Sequence, residues 1–170
     1  FIMDVLENYT TFKTYFRLLK KIEEDPQFEK AKASYLLQKF VRESEYTISK
    51  KIEIIIEHFR QFTMDRIKGR AKAMIVTSSR LHAVRYRQAF DRYVKEKGYD
   101  TIKALVAFSG TVRDGGMEYT EAKMNGFSES QTAGEFNTDK FRFLIVANKF
   151  LTGFDQPLLH TMYVDKRLNG

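Results

Sequence analysis

Four short apolar runs, residues 73–77, 103–108, 141–147 and 160–164, constrain the fold of this chain more than anything else in it. Each has the length of a buried strand and is too short for a helix of ordinary size. Between the first two, Leu81, Val84, Ala89, Phe90, Tyr93 and Val94 recur near a period of 3.6, with Ser79 placed to cap the helix and Gly98 to stop it. Residues 111–116 read as a polar, glycine-bearing connection, and residues 119–126 and 130–136 as short helices. Strands alternating with helices predict an α/β fold: a parallel sheet flanked by helices, with right-handed crossovers.

The first 70 residues follow a different pattern. Their apolar positions recur at helical spacing, which predicts three helices, about 9–22, 28–41 and 48–67. The third carries Ile52, Ile55, Ile56, Phe59, Phe62 and Met64 along one stripe. The chain thus divides into a helical connecting segment, 1–70, and a sheet domain, 71–170. Its 170 residues, 43% hydrophobic, suffice for one sizeable core.

Without cysteines there are no disulfides and no thiolate metal sites, and His58, His82 and His160 lack any ligand spacing. No metal site is assigned. A net charge of +7 favours a polyanionic partner, although the basic residues are spread along the chain rather than gathered in an arm. The aromatic and basic residues between Lys13 and Lys21 read as core packing of a helix. No apolar run approaches the roughly 20 residues of a membrane span, and the start has no signal-peptide pattern. A chain that begins at Phe1 and stops just after an apolar run reads as an excised piece.

Four polar clusters follow the four runs: Thr77-Ser78-Ser79-Arg80, Ser109-Gly110, Thr152-Gly153-Phe154-Asp155 and Asp165-Lys166. In a parallel sheet the carboxyl ends of strands lie along one edge, so these clusters are expected to converge on one ligand. Hydroxyls, glycine amides, an arginine and a helix amino end are what a phosphate requires. The same residues are also ordinary turn and cap chemistry. No phosphate-binding GxxxxGK[ST] loop, GxGxxG, HExxH or GxSxG occurs. Asp114 with Glu121-Ala122-Lys123 fits the loose D…ExK pattern of metal-dependent nucleases, but Asp114 adjoins two glycines and Glu121–Lys123 reads as helix.

Several segments carry a resemblance to a known family. They are Met3-Asp4-Val5-Leu6, Tyr9-Thr10-Thr11-Phe12, Met74–Arg80, Val106–Gly110, Tyr119-Thr120-Glu121, Met124–Phe127 and Leu144–Ala147, followed by Thr152–Leu158 (TGFDQPL) and Tyr163–Lys166 (YVDK). In this order they resemble the motor (R) subunit of type I restriction enzymes, at its second RecA-like helicase domain and the helices before it. The resemblance implies a RecA-like parallel sheet that ends before helicase motif VI. It implies a superfamily 2 translocase that hydrolyses ATP with Mg²⁺ to pull double-stranded DNA, joined to a nuclease. It also implies methylation and specificity subunits and a first RecA-like domain as partners, no membrane, and a cytoplasmic location. Thr77, Ser78, Ser79 and Arg80 match motif IV, and Thr152, Gly153 and Asp155 match motif V. DNA-backbone contact is therefore expected at Thr77, Ser78, Ser79, Arg80, Ser109, Gly110 and Thr152, and coupling to the ATP cleft at Gly153 and Asp155. No catalytic residue and no cofactor bound by this piece alone are expected. The alternatives are another superfamily 2 helicase or a non-enzymatic nucleic-acid or protein interaction module.

Overall fold

The computed structural model describes residue 35, residues 44–150 and residues 154–166. The chain forms two compact units, residues 1–50 and 51–170. The helices expected at 9–22 and 28–41 lie outside the described residues, except that Tyr35 is helical and exposed.

Helix α1, Glu45–His58, begins after Ser44, whose side chain accepts a hydrogen bond from the backbone N–H of Thr47 at 3.2 Å. The helix expected at 48–67 therefore starts earlier, and it does not continue as one α-helix. From Phe59 to Thr63 the backbone widens into a π-turn, closed by Met64 N–H to the carbonyl of Phe59 at 2.8 Å. The wider turn rotates the apolar stripe by about one residue. Phe59 and Thr63 are buried, while Phe62, expected on the stripe, is 53% exposed. A single turn at Arg66–Gly69 then leads into the sheet, with Ile67 and Lys68 at positive φ.

The strands and helices that follow are β1 (Lys72–Thr77), α2 (Arg80–Lys97), β2 (Ala104–Ala107), β3 (Val112–Asp114), β4 (Met117–Tyr119), α3 (Glu121–Asn125), α4 (Thr132–Asn137), β5 (Phe143–Val146) and β6 (Leu159–Asp165). A 3₁₀ turn at Glu129–Gln131 precedes α4. Strands β2-β5-β1-β6 form one sheet in that order, all parallel. This is the α/β architecture of RecA-like type that the sequence implies.

Both faces of the sheet are covered, which is why its central strands read as unbroken apolar runs. On one face Phe143 meets Phe59 at 4.5 Å and Phe90 at 5.0 Å between ring centroids, so the π-turn and α2 pack there. On the other, Met74, Val76, Leu105, Ala107, Leu144 and Val146 enclose Phe136 of α4, with Phe127, Phe150 and Phe154 against them. Edge strand β6 instead alternates half-buried and exposed residues.

The connection expected at 111–116 is a β-hairpin. β3 and β4 pair antiparallel across Gly115-Gly116, both at positive φ (57° and 79°), the geometry of a type I′ turn. The Gly-Gly pair flanked by strand-forming residues carried that signal in the sequence.

Candidate nucleic-acid interface at the strand ends

The carboxyl ends of β2, β5, β1 and β6 lie along one sheet edge, and side chains tie them together across it. At the end of β1, Thr77 is buried and its hydroxyl is shared between the carbonyls of Val146 (2.9 Å) and Ser79 (3.1 Å). Thr77, where DNA contact was expected, thus joins β1 to β5, with its hydroxyl engaged by main-chain carbonyls. The Ser78 hydroxyl is hydrogen-bonded to Nδ1 of His82, and Ser79 caps α2 by accepting the backbone N–H of His82 at 3.1 Å. Both hydroxyls hold the turn. Arg80 projects outward: it is exposed, and its Nη1 crosses over β5 to donate to the Ser109 carbonyl at the end of β2, at 2.9 Å.

Ser109 and Gly110 are exposed beside it. Gly110 has φ +77°, and a Cβ there would stand 3.0 Å from Arg80 Nη1, so glycine lets the guanidinium lie against the backbone. After β5, Asn148 and Phe150 also take positive φ (60° and 61°), which folds the chain sharply where it leaves the sheet. Lys166, after β6, reaches over β1 to donate to Asn148 Oδ1 at 3.3 Å. Arg80 and Lys166 thus place two cations along the edge, with the amino end of the 18-residue α2 between them, while the Lys149 ammonium is taken up by Glu121 and Glu129.

Thr152 and Gly153 lie outside the described residues. Asp155 is exposed, between Phe154, stacked on Phe136 at 6.1 Å, and Gln156, buried and donating to Asn137 Oδ1 at 2.6 Å. Its neighbours fix the backbone on either side while its carboxylate faces solvent. Asp165 does not join the edge. It turns to the α1/α2 face, where Lys51 (2.7 Å) and the Tyr86 hydroxyl (2.5 Å) donate to it. Burial acts to raise its carboxyl, but those two hydrogen bonds outweigh it and hold the group below the usual carboxylate range.

The D…ExK pattern is dispersed in three dimensions. Asp114 takes a two-pronged bond from Arg85, both contacts 2.9 Å, which holds its carboxyl low. Glu121 is wholly buried and spoken for by protein donors. Among the described residues no group of three or more metal-ligating side chains assembles.

Comparison with known proteins identifies the family. Residues 118–170 match the family described as type I restriction enzyme subunit R domain 3. A type I restriction enzyme endonuclease subunit of Methanocaldococcus jannaschii is 34% identical over 133 residues, which cover 68% of this chain and 12% of the relative. One from Staphylococcus aureus is 27% identical over 167 residues, covering 82% of this chain and 18% of the relative. The chain belongs to the R-subunit family of type I restriction enzymes. It spans less than a fifth of the length of these relatives.

Within the R-subunit segment, the structure brings Arg80, Ser109 and Gly110, expected from sequence to meet DNA, side by side, and it braces them through residues to which sequence reasoning gave no such part. Glu121 and Asn125 act through partners far along the chain. Asn125 pairs with the free edge of β2, accepting from Val106 N–H at 3.0 Å and donating to its carbonyl at 2.8 Å. Lys149 bridges Glu121 and Glu129 at 2.8 and 3.3 Å. Met124–Phe127, which carried part of the resemblance, was the sequence signal for Asn125, while Glu121 stood out both in Tyr119–Glu121 and in the D…ExK pattern.

Proposed function

We propose that this chain is part of the ATP-driven, DNA-translocating machinery of a type I restriction subunit, and that its strand-end ledge meets the sugar-phosphate backbone of double-stranded DNA. The observation that carries the reading is the bond from Arg80 across β5 to the Ser109 carbonyl. It places a guanidinium with donors to spare beside a glycine backbone and the amino end of α2, an arrangement suited to a phosphate. Contact then falls to Arg80, Ser109 and Gly110, and by the family resemblance to Thr152, while Thr77, Ser78 and Ser79 shape the turn that presents Arg80.

In this reading the ledge is indifferent to sequence, because phosphate contacts position a protein without reading bases. By the family resemblance, Gly153 and Asp155 couple the ledge to a nucleotide cleft. The main ATP- and Mg²⁺-binding residues belong to a first RecA-like domain elsewhere in the subunit, and the methylation and specificity subunits are its partners in the restriction complex. The 170-residue chain is expected to hydrolyse no ATP by itself.

In a full-length subunit carrying this sequence, Asp155→Ala should abolish ATP-driven translocation in a triplex-displacement assay while duplex binding and thermal melting stay as in the parent. Translocation at the parent rate would overturn the role given to Asp155. ATP turnover by the isolated chain would overturn the division of the cleft.

A further inference from the structure

Glu121 is the one wholly buried carboxylate among the described residues, and its bonds run to two different parts of the ledge. Oε2 accepts the backbone N–H of Phe108 at 2.9 Å and the Lys149 ammonium at 2.8 Å; Oε1 accepts the Thr132 hydroxyl at 2.5 Å. Phe108 immediately precedes Ser109-Gly110, whose carbonyl holds Arg80. Lys149 lies three residues past the end of β5, and its neighbour Phe150 packs at 4.8 Å on Phe154, next to Asp155. A single buried carboxylate therefore sits between the proposed DNA-facing turn and the proposed nucleotide-side segment.

Stability alone does not account for a charge in this place. A buried ion pair is commonly no more stabilising than apolar packing of the same volume, whereas removing one partner is costly. What the carboxylate adds is direction, because charge-assisted bonds are short and fix the relative position of the groups they join. Lys149 is further held by Glu129, so the chain leaving β5 is tied at Lys149 to the layer of α3 and the turn before α4.

We propose that Glu121 is a positioning residue that sets the spacing between the Ser109-Gly110 turn and Lys149 at the exit of β5, whose neighbour Phe150 packs on Phe154 beside Asp155, so that DNA engaged on the first is felt on the second. The inference rests on the reading of the ledge as DNA-facing and adds to it the element that couples its two halves. Glu121→Gln keeps an oxygen for the N–H of Phe108 and turns an amide donor toward the Thr132 hydroxyl, but loses the ion pair. Lys149→Met removes the same pair from a partly exposed position, and Lys149→Arg retains it.

The test uses a full-length subunit carrying this sequence, assembled with its methylation and specificity subunits, and measures ATP hydrolysis with and without duplex DNA together with DNA affinity. Glu121→Gln and Lys149→Met should each lower the stimulation by DNA about tenfold, with affinity for DNA changed by less than about twofold. Their combination should be no worse than either alone, as for groups acting through one bond, and Lys149→Arg should restore stimulation. Parent-level stimulation in both variants, or DNA-free and DNA-dependent turnover falling in proportion, would overturn the proposal. Arg80→Ala separates the two readings. If it weakens DNA binding while Glu121→Gln leaves stimulation intact, the ledge stands and the positioning role falls; if it leaves DNA binding and its salt dependence unchanged, the ledge falls as well.

Discussion

Lys72 shows at the scale of one residue how the inlet edge of the sheet is held. Its ammonium lies inside the fold, donating to the carbonyls of Thr138 (2.6 Å) and Phe141 (2.5 Å), with the Phe136 ring 5.0 Å away. Burial lowers its pKa from 10.5 to about 8, because the protein withholds the solvation that favours the charged form. Between these values the unfolded chain keeps the proton that the folded chain has released, so stability rises with pH from about 8 toward 10. The full difference corresponds to roughly 3 kcal/mol. Tyr86, Tyr93, Tyr99 and Tyr163 are all raised, first by burial, so the unfolded chain ionises them sooner and stability falls again above about pH 10. Denaturant midpoints measured from pH 7 to 10 should climb for the parent and stay flat for Lys72→Met; parallel curves would refute the assignment.

At the scale of elements, the two borders of the sheet are treated differently. The β2 border is closed by Asn125, which copies the pairing of a neighbouring strand onto Val106, and by Glu121, which takes the N–H of Phe108. Asn125→Ala should cost about 1–3 kcal/mol in chemical denaturation, since it strands buried backbone groups; a change within a few tenths would show that water replaces the amide. Elements whose signals are local were legible in the sequence. The four strands, the Ser79 cap and the stop at Gly98, which takes the left-handed conformation, all follow from residues within a few positions of one another. The π-turn at Phe59–Thr63 was not, because it depends on what the helix meets, namely Phe143 and the Thr161 hydroxyl. The same limit separates Arg80, placed by its strand end, from Glu121, whose partners lie 11 to 28 positions away.

Across the whole molecule, β6 forms the other border, and its outward side is apolar. Ile54, Met162 and Val164 are 68%, 50% and 43% exposed. An edge strand flanked in this way tends to pair with another chain unless a charge interrupts it. The double change Met162→Lys with Val164→Lys should therefore reduce self-association of the 170-residue chain in sedimentation velocity, and equal association of parent and variant would locate the contact elsewhere. The net charge of +7 works in the same molecule toward a polyanion, and the ledge is where Arg80 and Lys166 come together. The most direct measurement of that claim is the affinity of the 170-residue chain for unrelated duplex DNA sequences as salt is varied. The ledge predicts binding that is weak, equal among sequences and linear in log K against log salt, with the slope reduced by about one unit in Arg80→Ala. Binding that ignores salt, or an Arg80→Ala slope identical to the parent's, would contradict it.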